Sequence, residues 1–515
     1  MWHIQQEALL ARQNVRATMN SIAIVMDCGA TNAAVLALDE TGTVLASASR
    51  ANAPLPQPGG SPGWLIWDLE QVWGKLAEAC REVCSAIPRD AIKAVAVTTF
   101  GADGAPIRHD GTLAYPVISW QCNRTQPQAE EVAAKMDPWE IYQETGYQIL
   151  AFNTLLRLMW LKKQAPDALD QAHCWLMMPG LLSHRLCGEF SIDPTIGSTT
   201  MAMNIAKRAW SPKMLVMAGV DSYIFPRWVE PGEVGGRVHT EASRQTGLPQ
   251  GIPVVAAGHD TQFAAVGSGA SPGEAILSSG TWEILMVRSD RFTPDRAGFE
   301  DGLIVECDAV KGFWNPQMLM MASGVLEWVR KHFYGGAGHE QMIADAQQVE
   351  PGAGGVTVLP SFVAGAGPTK RFGTLGTILG LTITTSPGQI YRAALEGLSF
   401  QLRQALEILE RATGARPASI RVVGGGSRNS LWNQIRADAT GLPVTAIAQK
   451  EATVLGAALF AFVGGGVFSS LEEALQAVRK DEEVFVPSPA RHRYSELFQS
   501  HRQVAPSLMP FYSPE

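Results

Sequence analysis

The sequence predicts an α/β protein of two similar lobes with a functional cleft between them. Two observations carry this. A strand, a tight turn with D-C-G-A-T-N at residues 27–32 and a second strand open the first half, and a second strand, Gly-Thr turn and strand with S-S-G-T-W-E at 278–283 opens the other. Apolar residues at helical spacing and further buried strands follow each hairpin. With 515 residues and 46% hydrophobic content, the chain is long enough for two to four domains of about 100 to 200 residues with sizeable cores.

In chain order, I-A-I-V-M-D, A-A-V-L-A-L and T-V-L-A-S-A-S read as an antiparallel meander from Ile22. Leu69, Val72, Trp73, Leu76, Cys80, Val83 and Ile87 recur at helical spacing from Asp68, and Pro88 ends that helix. A-V-A-V-T-T-F is the next strand, helices fill much of 126–188, and P-V-V-A-A-G-H-D at 253–260 reads as another buried strand. After the second hairpin, Ser386 and Pro387 are the N-cap and first residue of a long helix with Ile390, Ala394, Leu398, Leu402 and Leu409 on one face. I-R-V-V then runs into Gly424, Gly425 and Gly426, and a helix from about Asn429 to Thr440.

The balance of 41 Lys and Arg against 49 Asp and Glu gives net charge −8, which argues against a nucleic-acid surface and directs attention to small molecules. Seven cysteines without a C-x-x-C pair suggest a reducing, cytoplasmic setting. The opening residues lack a signal-peptide core and no long apolar run follows, so no membrane partner is expected. Met19 precedes the first strand, so residues 1–20 are expected to be an extension.

The chemistry is expected at strand ends. Asp27 closes a buried strand, where it is either an Mg2+ ligand or a turn carboxylate; Gly29 lets the backbone turn so that Thr31, Asn32 and free N–H groups face an anion. Gly280 and Thr281 hold the corresponding turn of the second half, as phosphate contacts or as a plain hairpin. A Walker A loop is absent. Gly424–Gly426 offer a bare backbone to a flat adenosine, or a tight connection only. Asp260 is either a proton acceptor for an attacking hydroxyl or a helix cap. Asp103 offers an acceptor for sugar hydroxyls, and Trp67 and Trp120 are sugar-stacking faces or packing residues.

These motifs resemble the FGGY carbohydrate kinases over residues 21–500. F-N-T-L-L-R-L-M-W-L-K-K-Q at 152–164 is similar to the family's first signature, with Arg157 where Lys is usual, and G-T-I-L-G-L-T-I-T-T-S-P-G-Q-I-Y-R-A-A-L-E at 376–396 fits the second. The resemblance implies two actin-like (ribonuclease H-like) ATPase domains, 21–265 and 266–500, and a short tail at 501–515. It implies ATP and Mg2+ as cofactors, a ketose as substrate, and a monomer or homodimer. Carried over residue by residue, Asp260 becomes the catalytic base and a metal contact, with Asp27 at the metal. Gly29, Thr31, Asn32, Gly280 and Thr281 become phosphate contacts. Gly424, Gly425, Gly426, Ser427 and Asn429 hold the adenosine, and Asp103, Gly104, Trp67, Trp120, Arg124 and His259 line the sugar side. Ala34 departs from the Arg of many members, and Lys370, Arg371 and Arg428 are the cations that would compensate. The implied reaction is phosphorylation of the 1-hydroxyl of an open-chain ketose, with L-fuculose expected ahead of L-rhamnulose, D-ribulose or L-xylulose. The alternatives of another class are an actin-like ATP-binding chaperone and a sugar sensor.

Overall fold

A computed structural model describes residues 21–363, 365–447, 451–479 and 481–512; the expected extension at 1–20 lies outside them. In the first lobe β1 (Ile22–Cys28), β2 (Asn32–Asp39) and β3 (Val44–Ala51) form the expected meander. β4 (Ile92–Thr99) runs parallel to β1, and β5 (Val234–Arg237) and β6 (Pro253–Val255) complete a sheet of order β5-β6-β4-β1-β2-β3. Alternation along β1 divides the core: Ile22, Ile24 and Met26 pack on α1 (Leu69–Ser85), while Ala23 and Val25 face the other way. Asp68 caps α1, its carboxylate accepting the N–H groups of Glu70 and Gln71 at 3.0 and 3.1 Å.

The strand read at 253–260 is shorter than expected. It leaves the ladder after Val255, and further on Gly258 passes against the Asp193 carboxylate, where a Cβ would stand 2.2 Å from Oδ2. Pairing resumes as a single bridge between Thr99 and His259, which delivers His259 to the end of the sheet before α2 (Asp260–Gly267).

The second lobe repeats the scheme. β7 (Glu274–Ser279) pairs antiparallel with β8 (Trp282–Val287), which pairs with β10 (Trp314–Met321), itself edged by β9 (Ile304–Cys307). On the other side β7 runs parallel to β11 (Ser419–Val423), followed by β12 (Val444–Ile447) and the antiparallel β13 (Glu482–Phe485). α3 (Pro387–Thr413) begins at a capping box between Ser386 and Gln389, and its Leu402, Leu406 and Leu409 pack on Leu277, Leu285 and Met318 of the sheet. α4 (Ser430–Thr440) follows β11, and α5 (Ala452–Gly464) follows β12.

α5 crosses to the first lobe, where Val454, Ala457, Ala458 and Ala461 cover Ala23, Val25, Ala94 and Ala96. It meets α2 backbone against backbone. A Cβ on Gly456 would lie 1.9 Å from the Phe263 carbonyl oxygen, and one on Gly267 1.9 Å from that of Ala452. Gly456→Ala is therefore expected to push the helices apart and lower stability by about 1 to 3 kcal/mol, as overpacking does; a wild-type denaturant midpoint would show that this crossing yields without cost. The seven cysteines are all free, and no described helix is long and apolar enough to cross a membrane.

Candidate active site

The second hairpin turn and the glycine turn after β11 line a common cavity, and the first hairpin turn closes the end of β1. In the first, Gly29 N–H bonds the Asn32 carbonyl at 2.9 Å and a Cβ on Gly29 would meet that oxygen at 2.9 Å, so the turn closes only on a bare Cα. Thr31 and Asn32 stand exposed at its tip. The second turn is pinned to the following helix, Ser323–Phe333: Ser323 N–H donates to the Gly280 carbonyl and Ala322 N–H to that of Thr281, both at 3.1 Å.

Gly280, Thr281, Gly425, Gly426 and Asn429 line one cavity of about 560 Å³ together with Ser323, Tyr391, Arg428 and Trp432. Gly424 adopts φ 88° and crosses the Ser279 carbonyl, where a Cβ would stand at 2.7 Å; it shapes the turn from behind. Ser427 bonds back to the Gly424 carbonyl at 2.8 Å and lies outside the lining. Asn429 caps α4, accepting Trp432 N–H at 3.1 Å. Beneath the cavity Arg436 forms an ion pair with Glu283 and donates to Ser279 at 2.8 Å, with its guanidinium 3.6 Å from the Trp432 ring centre. This buried pair ties the second hairpin to the glycine turn. Of the three cations considered for the charge missing at Ala34, Arg428 lines this cavity, whereas Lys370 bonds Gln148 and Arg371 pairs with Asp301.

Asp27 lies near the end of β1 and Asp260 at the start of α2, close enough for their charges to interact. Burial, followed by the charges of Asp260 and Glu451, pushes the Asp27 carboxyl up to about 8. Burial also raises Asp260, offset in part by His259 and by the Thr261 N–H, which donates to it at 2.6 Å. Two mutually repelling carboxylates with hard oxygen donors fit a small divalent cation that takes its remaining ligands from phosphate and water.

A second cavity, of about 160 Å³, adjoins His259 and is lined by Phe100, Gly101, Trp120, Tyr147, Phe152, Glu306 and residues of β8–β10. His259 donates through Nδ1 to the Glu306 carboxylate at 2.8 Å, and Glu306 also accepts from Tyr147 at 2.9 Å and Gln262 at 2.6 Å. Burial lowers the His259 pKa, but Glu306 outweighs it and sets it at about 9, above the ordinary 6.5; Glu306 is correspondingly lowered. The histidine's share of this pairing is complete below pH 6.5 and is lost as pH rises through 9.

Of the residues expected on the sugar side, His259 and Trp120 line this cavity. The other four are not among its lining residues. Asp103 is fully buried, with Oδ1 2.8 Å from Arg157 and Oδ2 accepting Trp67 Nε1 at 2.6 Å and Trp120 N–H at 3.0 Å. Trp67 is thereby a packing residue, 1% exposed and stacked on Phe100. Gly104 lets its strand approach Leu176, whose carbonyl a Cβ would meet at 2.6 Å. Arg124 stacks 4.3 Å from the Trp64 ring centre and bonds Gln57 at 2.6 Å. The sequence reading missed Glu306, Tyr147, Gln317, Tyr391 and Trp432, and no spacing rule marks them.

The description "FGGY family of carbohydrate kinases, N-terminal domain" matches residues 22–267, and its C-terminal counterpart matches 275–465. The chain is 42% identical to the L-fuculokinase of Salmonella typhi over 90% of its own length and 97% of that protein, and 35% identical to that of Haemophilus influenzae over 91% and 100%. The autoinducer-2 kinase of Escherichia coli K12 is 28% identical over 86% and 85%. Among solved structures, xylulose kinase from Rhodospirillum rubrum superposes with a TM-score of 0.86 at 25% identity, covering 95% of this chain and 99% of that one. Plasmodium falciparum glycerol kinase with ADP gives 0.85 at 21% identity, over 95% and 98%. The two lobes, the paired hairpin turns and these matches together show that the chain is a sugar kinase and belongs to the FGGY family of carbohydrate kinases.

Proposed function

We propose that the enzyme transfers the γ-phosphoryl group of ATP to the 1-hydroxyl of L-fuculose, giving L-fuculose 1-phosphate and ADP. The observation that carries this reading is the His259–Asp260 dipeptide, whose histidine lines the small cavity while its aspartate interacts with Asp27. The activity named for the L-fuculokinases, at 35 to 42% identity, supports L-fuculose as the acceptor.

Phosphoryl transfer passes through a loose transition state, so the protein chiefly positions groups and offsets charge. Asp260 orients the acceptor hydroxyl and takes its proton as the bond to phosphorus forms. His259, held as an imidazolium by Glu306, donates to the sugar. Asp27 and Asp260 would hold Mg2+, which supplies charge neutralisation at the phosphates. The glycine turn after β11 and the Gly280–Thr281 turn hold the nucleotide. ADP release measured across L-fuculose, L-rhamnulose, D-ribulose, L-xylulose and glycerol tests the reading. L-Fuculose is expected to give the highest kcat/KM, and chelation of Mg2+ to abolish turnover. ATP hydrolysis indifferent to every acceptor would indicate the chaperone-like alternative, and sugar binding without turnover a sensor.

A further inference from the structure

The small cavity takes one wall from the second lobe, and strand register explains which side chains reach it. Leu319 of β10 stands opposite Ile284 of β8, and Gln317 opposite Ile304 of β9. Alternation along β10 puts Asn315, Gln317 and Leu319 on one face. Gln317, Leu319, Ile284 and Ile304 all line the cavity. Asn315 is already engaged, donating to Gln262, which in turn donates to Glu306. Asn315 does not line the cavity and Gln317 does: Gln317 is 2% exposed and its Oε1, like the Asn315 Oδ1, has no hydrogen-bond partner among the described residues. A buried amide oxygen left unpaired in an aliphatic wall is costly unless a ligand completes it.

We propose that this wall reads the acceptor: the Gln317 amide bonds a ketose hydroxyl, and Ile284, Ile304 and Leu319 enclose the terminal methyl of a 6-deoxy-ketohexose. The inference rests on the reading of the enzyme as an L-fuculose kinase and deepens it. The wall offers a methyl group an apolar surface, and its single free polar group suits a hydroxyl set back along the chain. Because these residues belong to the second lobe and His259 to the first, the acceptor is gripped from both sides only when the lobes are together.

Two variants separate the two contacts, read with L-fuculose and with D-ribulose, a ketose that lacks the methyl. Gln317→Met keeps the volume and removes the amide; kcat/KM is expected to fall about 10-fold for both acceptors, leaving their ratio unchanged. Leu319→Ala opens the apolar wall; the preference for L-fuculose over D-ribulose is expected to shrink about 10-fold. The affinity for ATP and the thermal midpoint serve as controls of folding, and Gln317→Asn, which withdraws the amide by one methylene, replaces the methionine variant if that one does not fold. Wild-type kcat/KM for both acceptors in a folded Gln317 variant, or an equal loss for both in Leu319→Ala, overturns the inference. A wild-type enzyme inactive on every ketose would instead overturn the reading beneath it.

Discussion

Asp260→Asn is expected to lower kcat by about 10²- to 10⁴-fold while leaving the fold in place, the span a positioned general base contributes. The amide keeps an oxygen where Oδ1 accepts the Thr261 N–H, so the start of α2 is preserved. It cannot take the hydroxyl proton, and it removes one of the charges that raise Asp27. Turnover near the wild-type rate in the folded variant, measured by ADP release at saturating ketose, would remove Asp260 from the role of base.

Asp103→Ala is expected to act on stability. Both Asp103 and Arg157 side chains are wholly buried, and removing one partner leaves an uncompensated charge worth about 3 to 5 kcal/mol. The loss is measured by urea unfolding. An Asp103→Leu, Arg157→Met double variant is expected to recover much of it, because an apolar pair carries no desolvation cost. The sugar KM is expected to rise as well, since Asp103 holds the Trp120 N–H and Trp120 lines the small cavity proposed to take the acceptor. Wild-type stability combined with a raised KM would return Asp103 to direct contact with the sugar.

The elements legible in the sequence were those that local chemistry specifies. The turns at Gly29 and Gly280, the capping box at Ser386 and the glycine turn at 424–426 each lie in a short stretch whose residues have one good conformation. Asp103 shows where that ends. A carboxylate at a strand end reads the same whether it faces a ligand or a buried guanidinium, and Arg157 arrives from a distant helix. The resemblance marked Arg157 as a substitution but gave no partner for it. Glu306 and Gln317 were invisible for a related reason. They reach the small cavity through the register of β9 against β10, which no local pattern encodes.

The crossing of α2 and α5 makes each half of the polypeptide incomplete without the other. The apolar back of the first sheet is covered by a helix supplied from the far end of the chain, so a protein cut after the first half would present Ala23, Val25, Ala94 and Ala96 bare to water. Synthesis therefore leaves that surface waiting until residues 452–464 emerge. The amino-terminal half can reach its final packing only after nearly the whole chain has been made.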